Sequence, residues 1–209
     1  MKIGVIAIQG NVAEHVRALR KTLTEREETG EVVTIKHRGT VESCDAIVIP
    51  GGESTTIGRL MEREGIIPEL KAFAKEDKPV LGTCAGLVLL AKEGDEEVVK
   101  TGQPLIGLMD VKVKRNAFGR QRDSFEVFLK LSILDEPFHA VFIRAPAITY
   151  ASANVEVLAT FNGYVVAAKQ ANIIALSFHP ELTEDRRIHH YFLEVIKSQS
   201  LKNGQQVLI

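Results

Sequence analysis

The chain has 209 residues and a formal net charge of −1, with 26 lysines and arginines against 27 aspartates and glutamates. This length can bury a sizeable core as one domain, and 45% apolar and 25% charged residues are ordinary for a globular protein. The near-neutral charge disfavours a general nucleic-acid-binding protein, and no apolar run approaches the roughly 20 residues of a membrane span.

The first half of the chain alternates predicted strands and helices. Strands are predicted over residues 3–8, 32–35, 46–49 and 79–83, and helices after Asn11, from about Ser54, over 67–75 and over 87–91. Asn11 and Glu14 have the spacing of a capping box at the start of the first helix. Strands and helices that alternate at this spacing predict an α/β fold with a mostly parallel, doubly wound sheet and helices on both faces.

After Gly102 the pattern changes to short strands of alternating polarity. Residues 155–161, 164–169 and 173–178 predict an antiparallel meander, in which Asn162-Gly163 is a favoured two-residue hairpin turn. A last helix is predicted from about Glu184 to Lys197, with two surface histidines at 189 and 190. We expect a single domain over residues 1–197 with an added antiparallel region in its second half, followed by a polar tail over 198–209.

Cys84 lies where a buried predicted strand meets a predicted helix. The segment Gly82-Thr83-Cys84-Ala85-Gly86 is the cysteine form of the G-x-S-x-G nucleophile elbow. In such a turn the central side chain is thrust out at the carboxyl edge of the sheet, where open α/β folds bind their ligands. Burial as a small apolar side chain is the commoner fate of a cysteine, and we assign it to Cys44, which has no such context.

A thiol nucleophile needs a base, and His179 is the strongest candidate of the six histidines. Pro180 biases His179 toward an extended backbone, so that Glu181 points to the same side and can orient the imidazole. The alternative is a strand-end histidine beside a solvated glutamate. No His/Cys spacing indicates a zinc site, and no cofactor is expected. Two cysteines without a recognisable export signal indicate a reducing, cytoplasmic location.

Two further segments can complete such a site. Gly52, followed by Glu53 and Ser54, comes directly after a predicted strand, and its N–H can face an oxyanion. The alternative is a plain helix start with Ser54 or Glu53 as its cap. Arg115, in a basic stretch, and Arg144, at a predicted strand end, can clamp a substrate carboxylate or be structural.

Together these motifs resemble the class I, or triad, glutamine amidotransferases, and more narrowly the glutaminase subunits of pyridoxal 5′-phosphate synthase. The resemblance is carried by residues 9–10 (QG), 50–56 (PGGESTT), 82–86 (GTCAG), 115–121 (RNAFGRQ), 123–126 (DSFE), 142–146 (FIRAP) and 177–182 (SFHPEL). It spans nearly the whole chain. Residues 24–41 are longer and more charged than the family pattern.

The resemblance implies a cytoplasmic enzyme that hydrolyses L-glutamine and passes ammonia to a separate TIM-barrel synthase subunit, which makes pyridoxal 5′-phosphate. It implies a catalytic triad of Cys84, His179 and Glu181, with oxyanion N–H groups from Gly52 and Ala85. The glutamine contacts that it implies are Gly52, Glu53, Ser54, Arg115, Ile143 and Arg144.

Three other functions stay open at the level of the sequence. The first is a triad glutaminase that serves another synthase, such as one for histidine or purines. The second is a non-glutamine cysteine hydrolase of the same fold, although the members of that group carry His after the cysteine, where this chain has Ala85. The third is a regulatory subunit without activity, which an intact Cys–His–Glu set disfavours.

Overall fold

The computed structural model describes residues 1–119 and 124–206. Its strands are β1 (Lys2–Ile6), β2 (Glu31–Ile35), β3 (Ala46–Ile49), β4 (Val80–Thr83), β5 (Ala91–Glu93), β6 (Met109–Lys114), β7 (Ser124–Leu129), β8 (Phe138–Ile143), β9 (Ala147–Ala151), β10 (Glu156–Phe161), β11 (Tyr164–Gln170) and β12 (Ile173–Leu176). Its helices are α1 (Val12–Glu25), α2 (Ser54–Arg63), α3 (Ile66–Lys75), α4 (Ala85–Leu90), α5 (Glu96–Thr101) and α6 (Arg187–Gln206). No helix in these ranges is long and apolar enough to cross a membrane.

In the described part of the chain, ten strands form one sheet in the order β2-β1-β3-β4-β12-β11-β9-β6-β5, with β10 paired to β11. The strands from β2 to β12 are parallel, and β12, β11, β9 and β6 then pair antiparallel. β7 and β8 form a separate antiparallel hairpin. The predicted α/β class and its antiparallel addition are therefore confirmed, and β12 joins the two regions.

Both faces of the sheet are covered by helices, as the near-continuous apolar runs of the parallel strands predict. Ile47 and Ile49 pack into one buried cluster with residues of α2, α3 and α4. Ala46 and Val48, which alternate with them, pack into a second cluster with residues of α1 and α6. The sheet is thus packed on both faces, and the loops at its carboxyl edge begin from well-packed strands.

The last helix differs from its prediction at both ends. It begins at Arg187, whose backbone N–H is accepted by the Asp185 side chain, and it continues to Gln206. Residues 198–206, predicted as part of a polar tail, are therefore helical, while the domain boundary at 197 stays a prediction. The prediction of a surface position for His189 is wrong, because the buried face of α6 is wider than its apolar stripe and His189 is fully buried beside Ile188.

The predicted capping box of α1 is also not formed. Asn11 is the N-cap residue, but its side chain makes no cap hydrogen bond. It donates instead to Glu181 Oε1 at 3.1 Å. The Asn11 side chain thus bonds to Glu181, which is distant in sequence, and not to the backbone of its own helix.

Candidate active site

Four parallel strands end side by side at the place where the predicted site residues follow them. β1 leads to Gln9, β3 to the Gly51–Gly52 turn, β4 to Cys84 and β12 to His179. Because carboxyl ends of parallel strands meet at one edge, residues far apart in the chain converge there. The sheet topology thus brings the predicted nucleophile, base and oxyanion loop together.

The turn at Cys84 has the strained backbone of a nucleophile elbow. Cys84 has φ 49° and ψ −102°, which non-glycine residues rarely adopt. A Cβ on Gly86 would overlap the Ile49 carbonyl oxygen, and a Cβ on Gly82 would lie 2.8 Å from the Gly86 carbonyl carbon. Both glycines are therefore required by close backbone approach, as the motif predicts.

The thiol of Cys84 is 8% exposed at the floor of a cavity. Its Sγ lies 3.8 Å from the Ile143 carbonyl oxygen, and the His179 imidazole lines the same cavity. A reacting group in this cavity therefore meets both the thiol and the imidazole. The other cysteine, Cys44, is buried in the core cluster under β1 and β3, as predicted.

Glu181 orients the imidazole of His179. Its Oε1 lies 2.8 Å from Nδ1, which therefore carries a proton and donates. The Nδ2 of Asn11 also approaches His179 Nδ1, at 3.3 Å, but two donors cannot bond, so Asn11 donates to Glu181 Oε1. His179 and Glu181 are thus paired, with Asn11 as an additional contact.

The charges of this group shift the pKa values of His179 and Glu181 in opposite directions. Burial opposes the imidazolium, but the hydrogen bonds and charges of Cys84 and Glu181 outweigh it and raise the pKa of His179 to about 10. Burial likewise opposes the carboxylate, but His15 and His179 lower the pKa of Glu181 to about 2. An ionised Glu181 therefore holds a readily protonated imidazole beside the thiol.

A second histidine lies behind the triad. The fully buried His15 has its Nε2 3.0 Å from Thr83 Oγ1 and 3.4 Å from Glu181 Oε2. Burial lowers the pKa of His15, and the charge of Glu181 offsets this effect only in part. Thr83 Oγ1 in turn accepts the Gly51 N–H at 3.1 Å. The sequence offered no local pattern for His15, which reaches these partners across the sheet edge.

The Gly51–Gly52 turn lies against both Cys84 and the β1 loop. A Cβ on Gly51 would overlap the His179 ring, and Gly52 has φ +154°. The Glu53 N–H is taken by Gln9 Oε1 at 2.9 Å. Glu53 also caps α2, accepting from the Thr55 and Thr56 N–H groups, as one of the two cap alternatives predicts.

A cavity of about 310 Å³ opens over the thiol. All six predicted glutamine contacts line it, together with Cys84, Ala85 and His179. Sequence reasoning missed Asn11, Val88, Asn116 and Pro146, which also line it. Arg120, Gln121 and Asp123, which belong to the resembling motifs, lie outside the described residues.

The two arginines differ in how firmly they are held. Arg115 donates to Thr55 and Gln103 and pairs with Glu53, so it is anchored on three sides. Arg144 is exposed and has φ 41°, a conformation that points to strain at the cavity rim. Both lie where a carboxylate entering the cavity would meet them.

A mostly parallel sheet with a buried Cys–His–Glu set at its carboxyl edge defines a cysteine-dependent amide hydrolase of the α/β class. The match to a family model is more specific. Residues 5–198 match the SNO glutamine amidotransferase family, and the chain belongs to that family.

Relatives and solved structures agree with this membership. The chain is 60% identical over 194 residues to pyridoxal 5′-phosphate synthase subunit PdxT of Methanococcoides burtonii, covering 93% of this chain and 98% of the relative. It is 55% identical over 195 residues to the subunit of the same name from Archaeoglobus fulgidus, covering 93% and 98%. A crystal structure of a glutamine amidotransferase matches with a TM-score of 0.82 and 41% identity, over 93% of this chain and 98% of the other.

Proposed function

We propose that this chain is the glutaminase subunit of a pyridoxal 5′-phosphate synthase. It hydrolyses L-glutamine to L-glutamate and ammonia and passes the ammonia to a separate synthase subunit. The observation that carries the proposal is the buried Cys84–His179–Glu181 set under a cavity lined by all six expected glutamine contacts. The names of relatives at 55–60% identity support the same assignment.

The first half of the reaction forms a thioester. The Cys84 thiolate, formed by proton transfer to His179, attacks the side-chain amide carbon of glutamine. The resulting oxyanion takes hydrogen bonds from the Gly52 and Ala85 N–H groups. His179 then returns its proton to the departing nitrogen, so that ammonia leaves and a γ-glutamyl thioester remains. Glu181 holds the ring and stabilises the imidazolium throughout.

The second half releases glutamate. Neutral His179 takes a proton from water, whose oxygen attacks the thioester carbon, and the same N–H groups meet the new oxyanion. Collapse of this intermediate breaks the C–S bond and expels the Cys84 thiolate. The new γ-carboxyl group loses its proton to solvent and leaves ionised, and His179 returns its proton to the thiolate, which restores the starting state.

Three side chains recognise the amino-acid end of the substrate. The guanidinium of Arg115 binds the α-carboxylate, and the Ser54 oxygen accepts from the α-ammonium. Arg144 at the rim adds a second positive charge for the carboxylate. Glu53, whose pKa is lowered to about 2 by hydrogen bonds from Thr56 and Thr55 that outweigh burial, stays ionised beside Arg115.

The ammonia acceptor is a synthase subunit of TIM-barrel fold in a hetero-oligomeric complex in the cytoplasm. Ammonia that escapes into neutral water is protonated to ammonium, which is not a nucleophile, so the glutaminase site is best completed only when the synthase is docked. The close packing of Gln9 and Gly10 on the Gly51–Gly52 turn supports a control of the oxyanion loop from that side. A peptide flip at Gly51–Gly52 would switch the oxyanion N–H on and off without backbone strain, because glycine tolerates both conformations.

The test is glutamate release from glutamine by the full chain, with and without a pyridoxal 5′-phosphate synthase subunit. Release that the synthase stimulates and that Cys84→Ala abolishes is the expected result. Cys44→Ala is the matched control and leaves release unchanged. Release without stimulation favours another acceptor synthase, and release by the Cys84→Ala variant contradicts the catalytic assignment.

A further inference from the structure

Gln103 is a buried amide that contacts three residues at the edge of the active-site cavity. It is 6% exposed and follows α5, outside every motif that the sequence singles out. Its Oε1 lies 3.2 Å from Ser54 Oγ, 3.1 Å from Thr55 Oγ1 and 3.2 Å from Arg115 Nη1. The single Gln103 Oε1 thus connects Ser54 and Thr55, at the start of α2, with Arg115 in the cavity wall.

The backbone fixes Gln103 in this place. Gly102 ends α5 in the left-handed conformation, with φ 58°. The Gln103 N–H then donates to the Val98 carbonyl at 3.2 Å, which is the hydrogen bond of a Schellman motif. The turn therefore fixes the backbone that carries the Gln103 side chain.

The orientation of the amide follows from its partners. Arg115 can only donate, so the group that faces its Nη1 must be the carbonyl oxygen. The Gln103 Nε2 is buried with no hydrogen-bond partner among the described residues. A buried, unpaired N–H group costs stability, and the three hydrogen bonds that Oε1 accepts offset this cost. The role of the amide at this position is therefore that of an acceptor for Ser54, Thr55 and Arg115.

The contact with Gln103 sets which groups of Arg115 are left for a ligand. The two Nη1 N–H groups go to Thr55 Oγ1, at 3.0 Å, and to Gln103. Nη2 lies 3.4 Å from Glu53 Oε1. The Nε–H and the second Nη2 N–H have no partner among the described residues, and parallel N–H groups of this kind bind a carboxylate in bidentate fashion.

The same contact sets the direction of the Ser54 hydroxyl. Because Gln103 Oε1 accepts, the Ser54 O–H donates to it. The lone pairs of Ser54 Oγ are then free to accept a hydrogen bond from an ammonium group in the cavity that Ser54 lines.

We propose that Gln103 is a positioning residue that prepares Arg115 for the α-carboxylate and Ser54 for the α-ammonium of a free amino acid. The inference rests on the proposed glutaminase function and extends it to specificity. Gln103 touches neither the substrate nor the thiol, so it acts on binding of the amino-acid end and not on the reacting amide. Substrates that lack both the α-carboxylate and the α-ammonium gain nothing from it.

The test compares Gln103→Leu, which removes the acceptor, with Gln103→Glu, which keeps it. We expect Gln103→Leu to raise KM for glutamine about tenfold, the effect of one hydrogen bond to a charged group, while kcat changes less than about twofold. Gln103→Glu restores KM because a carboxylate oxygen still accepts from Arg115, Ser54 and Thr55. Gln170→Leu, a glutamine substitution away from the cavity, is the matched control and leaves KM unchanged.

Two further measurements separate positioning from a structural effect. With butanamide, which is glutamine without its α-carboxylate and its α-ammonium group, the Gln103→Leu variant and the unaltered protein release ammonia at equal rates. In a double-mutant cycle, Gln103→Leu causes a smaller loss in the Arg115→Ala background than it causes alone, because part of its effect acts through Arg115. Thermal unfolding checks that the variants are folded.

Glutamine binding to the Cys84→Ala protein, measured by calorimetry with and without Gln103→Leu, gives a result that needs no turnover. A tenfold weaker Kd supports the inference, and an unchanged Kd overturns it. A KM unchanged by Gln103→Leu, or an equal loss with butanamide, also overturns it. These outcomes leave the proposed function standing, whereas release by Cys84→Ala would contradict the proposed function itself.

Discussion

At the scale of single residues, the charge on Glu181 determines how the site holds its proton. Glu181 is buried, accepts from His179 and Asn11, and has His15 Nε2 3.4 Å from its second oxygen. Each contact favours the ionised carboxylate, and the carboxylate in turn favours the imidazolium. The protonation of His179 is therefore a property of the whole group.

Replacing Glu181 by Gln tests this coupling. The neutral amide removes a charge that raises the pKa of His179, so that pKa falls from about 10 toward its ordinary value. Turnover falls by roughly 100-fold to 10,000-fold, as when the orienting carboxylate of a triad becomes an amide. NMR titration of His179 measures the first effect, and glutamate release measures the second. An unchanged pKa of His179 would contradict the coupling.

His189 is a buried residue that destabilises the fold. Neither of its ring nitrogens has a hydrogen-bond partner among the described residues, and burial, with His15 nearby, lowers its pKa to about 3. The unfolded chain binds a proton here near pH 6.5, whereas the folded chain binds it only near pH 3. Since the unfolded state then holds more protons, stability falls as the pH drops from 6.5 toward 3.

We therefore expect His189→Leu to stabilise the protein by about 1 kcal/mol or more at neutral pH, because an unpaired buried group is removed. The variant also loses part of the acid sensitivity between pH 6.5 and 3. Urea unfolding at several pH values measures both effects, with His37→Leu, at an exposed histidine, as the control. A destabilised variant with the same pH dependence would show that His189 is paired in solution.

At the scale of elements, the elbow between β4 and α4 has no room for larger residues. Gly86 lies against the Ile49 carbonyl at the end of β3, and this contact lets α4 start directly behind Cys84. The nucleophile is therefore placed by two neighbouring strands, and its geometry depends on their spacing.

Gly86→Ala should destabilise the protein by about 3 kcal/mol or more, because the new methyl group overlaps backbone that cannot move without shifting β3. Gly163→Ala is a suitable comparison. It has open space around its Cβ but φ +79°, so it should cost only about 1–2 kcal/mol. Urea unfolding gives both values, and equal losses would contradict the role of close packing at the elbow.

At the scale of the whole molecule, the predictable features are those with local causes. The sequence predicts a triad of Cys84, His179 and Glu181 because the elbow spacing and the strand-end His-Pro-Glu each lie within a few residues. Their meeting point followed from parallel strands alone. Gln103 and His15 could not be found this way, since their partners lie 12–49 and 68–166 residues away and no local pattern marks them. The predicted surface position of His189 is wrong because α6 buries a wider face than its apolar stripe indicates.

The most direct measurement of the covalent mechanism is trapping of the thioester with hydroxylamine during turnover of glutamine. A thioester on Cys84 partitions between water and hydroxylamine, so γ-glutamyl hydroxamate forms in place of part of the glutamate. We predict hydroxamate from the protein with its synthase and none from the Cys84→Ala variant. Glutamate formed at the normal rate with no hydroxamate, or hydroxamate formed by the variant, would contradict a reaction through Cys84.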